Sequence, residues 1–140
     1  MQRSANFFLV AGAVMSALVA VLHFACIVIG APAFRLLGAG DRLAVMAERG
    51  HWYPSALALG IGAAFSVCAA YALSAAGVLP PLPMRRTVLG LFTGVLFFRA
   101  LAFPLLRSVF PWNSTAFWLV TSSICLLMGM LHLVGLKQVW

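Results

Sequence analysis

Residues 5–30 read ANFFLVAGAVMSALVAVLHFACIVIG, an apolar run without a single charged side chain. A helix needs about 20 apolar residues to cross the hydrocarbon core of a bilayer, so this run predicts a membrane-spanning helix. It is too long for the apolar core of a secretory signal, which has roughly 7–15 residues. We therefore expect it to be the first membrane span.

Three further apolar runs follow, at about residues 53–78, 86–106 and 115–136. Hydrophobic residues make up 64% of the chain and charged residues 8%, against roughly 45–50% and about 25% in soluble proteins. No segment alternates as a barrel strand does, so helices must satisfy the backbone in lipid. The sequence predicts an all-α fold, in which residues 1–140 form one transmembrane domain, an integral membrane four-helix bundle.

The chain is strongly basic, with nine Lys and Arg residues against two acidic ones and a net charge of +7. These charges stand singly or in pairs between the apolar runs, as they do where membrane helices meet lipid headgroups. Nucleic-acid-binding proteins instead cluster their charge on a wet face. Membrane lipids are therefore expected partners, and nucleic acid is not.

The orientation in the membrane is harder to predict, because Lys and Arg divide equally between the two sides. One side has Arg3, Arg85, Arg86 and Lys137, and the other has Arg35, Arg42, Arg49 and Arg107. The positive-inside rule therefore does not decide the orientation. The long first connection favours cytoplasmic termini, and the Ala-, Gly- and Arg-rich composition favours a multi-pass protein of a bacterial inner (plasma) membrane.

The first connection, residues 30–54, reads GAPAFRLLGAGDRLAVMAERGHWYP. It predicts a short amphipathic helix over Arg42 to Arg49, with Asp41 as N-cap and Gly50 just past its end. Such a helix is expected to lie on the membrane surface. The third connection offers Asn113 or Ser114 as a cap for the last helix.

Small residues predict close helix packing. In the second span they recur at every fourth position, and in the third span two glycines repeat the spacing: Ala56, Gly60, Ala64, Cys68, Ala72, Ala76, Gly90 and Gly94. The fourth span carries a mildly polar seam: Trp118, Ser122, Cys125, Gly129 and His132. Packing within one bundle is favoured over a dedicated dimer face.

Arg99 is the one charge deep within a span. A guanidinium near the bilayer centre costs at least about 2.5–3.5 kcal/mol on insertion scales, which makes Arg99 a candidate for function. Pro104 cannot donate to the carbonyl of Ala100, so the helix is expected to loosen there.

The topology brings several polar and aromatic residues to the side of the membrane where the first and third connections lie. The predicted ligand-binding residues are Arg99, His23, Asp41, Trp52, Tyr53, Arg107 and Trp112. They predict an aromatic-rimmed polar pocket in that leaflet. An equally open alternative is that Glu48 pairs with Arg99 or Arg107 and merely holds the loop helix in place.

Other chemistries have little support in the sequence. His23 and His132 are expected on opposite sides of the midplane, too far apart to hold one haem. His23 and Cys26 are too few ligands for a soft metal, so neither a metal nor a cofactor is expected. No span contains the carboxylate that a proton-coupled exporter needs.

Three features, His23, the stretch from Phe34 to Gly38, and ERGHWYP at residues 48–54, resemble features of uncharacterised small four-span bacterial inner-membrane proteins, a domain of unknown function. The likeness covers the first half of the chain and implies no activity. The leading hypothesis is a protein that binds a lipid, another amphiphile or a hydrophobic small molecule, for transport, sensing or assembly. The alternatives are a membrane-embedded enzyme acting on a lipidic substrate, with Glu48 and His51 as acid–base candidates, and a scaffold subunit with a membrane partner protein or a second copy of the chain.

Overall fold

The computed structural model describes residues 5–140, which form seven helices and no strand. The helices are α1 Phe7–Ile29, α2 Ala31–Leu36, α3 Asp41–Glu48, α4 Trp52–Ala75, α5 Arg85–Leu101, α6 Phe103–Val109 and α7 Thr115–Val139. The predicted all-α class is confirmed. Each apolar run of the sequence is helical, because a helix pairs the backbone N–H and C=O groups of a segment with one another.

Three helices of the described chain, α1, α4 and α7, are long and apolar enough to cross a membrane. The pair α5 and α6 passes the same test only together, because the two helices are bent by 67° at the break between them. The prediction of one continuous third span at residues 86–106 is wrong in this respect. Pro104 lacks an N–H and its ring crowds the carbonyl of Ala100, so the helix ends at Leu101 and restarts at Phe103.

The four long helices pack in a ring. α1 lies between α4 and α7, and α5 closes the ring against α7 and less extensively against α4, while the backbones of α1 and α5 stay apart across the ring. The first and third connections lie at one end of this ring, which we call the loop side. The termini of the described chain and the second connection lie at the other end, the terminus side.

Close approach between helices depends on particular glycines. A Cβ at Gly12 would lie 2.8 Å from Cε1 of His132, and one at Gly62 would collide with the ring of Phe24. These contacts join α1 to α7 and α1 to α4. Glycine at these two positions lets the backbones come together, although Gly62 is not a member of the small-residue stripe predicted for the second span.

The small-residue stripes are used only in part. On α4 the terminus-side members Cys68, Ala72 and Ala76 are buried, whereas the loop-side members Ala56, Gly60 and Ala64 face outward. A step of four residues turns a helix by 400°, so a stripe with this spacing drifts by about 40° per step across the surface. The expectation that the α5 glycines, 90 and 94, pack inside the ring is wrong, because open space surrounds both.

The first connection contains two short helices where the sequence predicted one. α2 begins after Gly30, whose φ of 79° turns the chain, and α3 follows Gly40. Gly40 rather than Asp41 is the N-cap of α3, and the Asp41 carboxylate is bound by Arg35 instead. Gly50, with φ of 70°, follows the end of α3 as predicted.

Side-chain caps fix the starts of two long helices next to these turns. Ser114 accepts a hydrogen bond from the backbone N–H of Phe117 at 3.0 Å, so one of the two predicted caps of α7 is confirmed. His51 accepts from the N–H of Tyr53 at 3.2 Å and caps α4. The caps set where α7 and α4 enter the ring on the loop side.

Candidate functional site

A cavity of about 360 Å³ lies on the loop side of the ring. Its walls come from α1, α4, α5, α6, α7 and the first connection, and its lining residues are His23, Cys26, Phe34, Leu37, Gly38, Ala39, Leu43, Leu57, Ala58, Ile61, Arg99, Leu106, Phe110, Asn113, Phe117 and Trp118. We call it the loop-side cavity. Its volume is within the range of about 300–1,000 Å³ that is usual for small-molecule sites.

Arg99 supplies the only Lys or Arg side chain of that lining. Its Nη2 donates to Oγ1 of Thr121 at 3.2 Å, its Nη1 lies 3.5 Å from Oγ of Ser122, and its Cζ lies 4.9 Å from the ring centre of Trp118. Thr121 itself donates to the carbonyl of Phe117, so its oxygen is free to accept from the guanidinium. A guanidinium has five N–H donors, of which the described residues engage two.

Both acidic residues of the chain are occupied elsewhere. Asp41 and Glu48 bind the same Arg35, at 3.2 and 2.7 Å, in an exposed cluster outside the cavity. The alternative in which Glu48 pairs with Arg99 or Arg107 is therefore wrong. Hydrogen bonds to Glu48 and then to Asp41 raise the pKa of Arg35, so this guanidinium stays charged throughout the working pH range. Among residues 5–140 Arg99 therefore has no ion-pair partner.

Trp118 adds a second unusual donor. Its side chain lines the cavity yet is only 3% exposed, and its indole Nε1–H has no hydrogen-bond acceptor among the described residues. Most buried polar groups in proteins are paired, and an unpaired one costs roughly 1–3 kcal/mol. Arg99 and Trp118 together give this apolar cavity several donors that the chain does not satisfy.

His23 is the other predicted residue in the cavity. Its Nδ1 donates to the carbonyl of Val19 at 2.8 Å, because a carbonyl can only accept, and its ring stacks on Phe65 with centroids 6.1 Å apart. This leaves Nε2 as the ring nitrogen that remains available to a ligand. Cys26, one turn further along α1, is buried next to it.

The first connection covers the cavity. The side-chain amide of Asn113 donates to the carbonyl of Gly38 at 2.8 Å. The ring of Phe117 lies against Gly38 and the ring of Trp112 against Gly40, and a Cβ on either glycine would collide with them. Both glycines have positive φ, so the turn between α2 and α3 can be this close only with glycine. The connection is thus held over the cavity by the third connection and α7.

Five of the seven predicted ligand-binding residues do not line the cavity. Asp41 binds Arg35, Arg107 is exposed on α6, and Trp112 packs over the turn at Gly40. Trp52 and Tyr53 are exposed at the start of α4, with their rings edge to face. The structure therefore brings together Arg99 and His23 only.

The two catalytic candidates are also outside the cavity. Glu48 is held by Arg35, and His51 is exposed, with Nδ1 engaged by the N–H of Tyr53 and its ring stacked on Trp52. Neither residue faces Arg99 or the cavity lining. In the part of the chain that the structure describes, no group of three or more His, Cys, Asp or Glu residues could hold a metal ion.

Trp118 and Thr121 were not predicted as partners of Arg99. A signal was present in the fourth span, where Thr121 shares a helix face with Trp118 and Ser122 of the predicted polar seam. What the sequence does not contain is the register between α5 and α7, which sets which residues of that seam meet Arg99.

Comparison with known proteins adds nothing to this geometry: no family model, no curated protein and no solved structure matches the chain.

Proposed function

We propose that this chain is a multi-pass membrane protein of a bacterial inner membrane, in which four spans form a bundle that binds an amphiphilic ligand. Large apolar side chains on the outer faces of its helices support the membrane part of the proposal: Val14, Leu18 and Val21 on α1 are all more than half exposed. Such faces are too extensive for water, whereas a bilayer covers them without cost. The bent pair α5 and α6 then acts as one span.

The observation that carries the binding function is Arg99 in an apolar cavity of a chain that has no acid to pair with it. A charge removed from water needs a partner of opposite sign or a full set of hydrogen bonds. Thr121 and Ser122 satisfy two of its donors, which orients the guanidinium without neutralising it. A ligand with an anionic or acceptor-rich head would supply what is missing, while its apolar part meets the rest of the lining.

Binding of this kind would serve carriage, sensing or assembly in the membrane. We do not propose acid–base catalysis by Glu48 and His51, because both residues lie outside the cavity and the Glu48 carboxylate is engaged by Arg35. The candidate ligands are membrane lipids and hydrophobic small molecules with a polar head.

Native mass spectrometry of the protein, released from membranes in a mild non-ionic detergent, tests the proposal. We expect the wild type to retain an amphiphile and Arg99→Leu to lose it. Arg107→Leu is the matched control, since Arg107 is on the same side of the ring but exposed and outside the cavity. Equal ligand retention by wild type and Arg99→Leu would overturn the proposal.

A second variant protects this test against misfolding of Arg99→Leu. Trp118→Phe keeps an aromatic side chain next to the guanidinium and removes the unpaired N–H together with part of the indole ring system. It should remain folded by circular dichroism and retain less ligand than wild type. If Trp118→Phe retains as much ligand as wild type, and Arg99→Leu still carries ligand even when it is misfolded, then the ligand does not bind in this cavity.

A further inference from the structure

The wall of the loop-side cavity is not closely packed all round. Both α4 and α6 contribute to its lining, yet no Cα atoms of the two helices lie within 8 Å of each other, because α6 turns away from the ring after the 67° bend. No residue of α6 is buried. The backbones of α4 and α6 therefore stand apart where both border the cavity, and we call the space between them the gap.

The rim of this gap is apolar. Leu57 on α4 and Phe110 at the end of α6 both line the cavity and are nevertheless 38% and 36% exposed. A residue that does both stands at the mouth of the cavity. The top is covered by the first connection, which Asn113 binds at Gly38. The way in is thus edged by side chains that suit a lipid environment better than water.

The charge in the cavity sets the charge of a ligand. Arg99 is the only Lys or Arg that lines it, so one negative charge neutralises the site and a second would be buried without a partner. A carboxylate carries one charge and matches the guanidinium fork with two parallel hydrogen bonds. A phosphate monoester carries about −1.5 to −2 at neutral pH, which is more than Arg99 balances. The Nε1–H of Trp118 offers a further donor to the same head.

The volume sets how much of a ligand fits inside. At about 360 Å³ the cavity is near the lower end of the roughly 300–1,000 Å³ that is usual for small-molecule sites, so it holds a ligand head and a short apolar segment. That is a carboxylate with part of one chain. A phospholipid with two chains does not fit, and the remainder of a long single chain must extend through the gap into the bilayer.

We infer that the ligand of the loop-side cavity is a single-chain carboxylate, a fatty acid or a similarly slender amphiphilic acid, whose head binds Arg99 and whose chain passes between α4 and α6. The inference rests on the proposed function, because it names the ligand class for the same site. It makes the gap at Leu57 and Phe110 the entry route from the membrane.

The test uses the full chain in lipid nanodiscs and four probes of equal chain length: hexadecanoate, hexadecanol, hexadecyl phosphate and dipalmitoyl phosphatidate. Native mass spectrometry counts what is bound as each probe is titrated. We expect one hexadecanoate per chain, with hexadecanol at least about tenfold weaker because it lacks the charge-assisted hydrogen bonds. Hexadecyl phosphate and the two-chain phosphatidate should also bind more weakly than hexadecanoate.

The outcomes separate the assignment of the ligand class from the proposed function itself. If hexadecanol equals hexadecanoate, or if the two-chain lipid binds best, the carboxylate assignment is overturned while amphiphile binding stands. If the tightest probe is hexadecyl phosphate, the ligand is a phosphate and the charge argument is wrong. If no probe binds above the level seen with Arg99→Leu, the proposed function itself fails.

The entry route has its own matched pair of variants. Leu57→Trp places a bulky ring at the mouth, and Leu59→Trp places the same ring two positions away on the same helix, where residue 59 is 55% exposed and does not line the cavity. We expect Leu57→Trp to slow hexadecanoate uptake severalfold and Leu59→Trp to leave it unchanged. Equal uptake rates in the two variants would overturn the lateral route.

Discussion

The two ends of the helix ring treat buried polar groups in opposite ways. On the terminus side His132 is fully buried, its Nδ1 donates to the carbonyl of Met128 at 2.8 Å, and its Nε2 lies 3.5 Å from Sγ of Cys68. Ser16 completes the chain with its hydroxyl 3.7 Å from the same sulfur. On the loop side the donors of Arg99 and Trp118 exceed the acceptors that the chain provides.

The polar groups of the terminus side stabilise the fold, whereas those of the loop side are available to a ligand. At the terminus side polar groups of α1, α4 and α7 satisfy one another, and Gly12 lets the imidazole ring sit against the backbone of α1. Such a node holds three helices in register, and its residues do not line the loop-side cavity. At the loop side the same three helices, with α5 and α6, enclose about 360 Å³ around an unpaired charge. A polar residue in a span is thus informative only together with its partners.

The largest effect expected from this contrast is on stability at the terminus side. His132→Ala should lower the free energy of unfolding by about 2 kcal/mol or more, because it opens a void in a packed region and removes the imidazole that contacts Sγ of Cys68. The matched variant His23→Ala should cost less, since His23 already borders a cavity. Reversible unfolding in mixed micelles measures both, and a larger loss for His23→Ala would break the comparison.

A second pair of variants tests the packing of the glycines. Gly12→Ala should destabilise by about 1–3 kcal/mol, because the new methyl group would meet the His132 ring at 2.8 Å. Gly90→Ala adds the same group in open space on α5 and should be neutral or stabilising by up to about 1 kcal/mol. The order is read from the unfolding midpoints, and the reverse order would show that the ring is packed differently.

On the loop side a change should affect binding more than stability. Trp118→Phe removes a donor that has no acceptor, which offsets part of the packing lost with the smaller ring, so the unfolding midpoint of the ligand-free protein should fall only slightly. Affinity for hexadecanoate should fall about fivefold, as for the loss of one hydrogen bond of about 1 kcal/mol. Isothermal titration in nanodiscs measures this, and a lowered midpoint with unchanged affinity would mark Trp118 as purely structural.

The smallest effect is expected outside both regions, at the exposed cluster on the first connection. Glu48→Gln removes one partner of Arg35 but leaves Asp41 in place, and surface ion pairs of this kind contribute little. Ligand affinity and unfolding midpoint should both stay close to wild type, with any small difference vanishing in high salt. A large loss of ligand affinity in Glu48→Gln would contradict this prediction and show that the Glu48 carboxylate takes part in ligand binding.

Much of this fold follows from local rules that act within one segment. The apolar runs became helices, Ser114 caps α7, and Gly50 ends α3, because each depends on neighbours in sequence. The weakness at Pro104 was foreseeable as well, although the bend of 67° was not. The size of a bend depends on what packs on either side of it, which one segment does not encode.

The candidate site was predictable only in part, because it depends on register between distant segments. Arg99 stood out by its charge in an apolar span, and His23 by its place in the part of the first span that lies next to the first connection. The ion pairs of Arg35 with Asp41 and Glu48 could not be foreseen, since α2 itself was not predicted. The pairing of Trp118 with Arg99 likewise depends on how far α5 slides along α7.

The most direct test of the central claim is the stability of wild type and Arg99→Leu, measured in nanodiscs with and without hexadecanoate. The account predicts that ligand-free Arg99→Leu is at least as stable as wild type, because the variant relieves an uncompensated charge. Hexadecanoate at about 100 times its dissociation constant should then stabilise wild type alone, by about 2.7 kcal/mol. A ligand-free Arg99→Leu that is clearly less stable, with no response of either protein to hexadecanoate, would contradict the account and make Arg99 a structural residue.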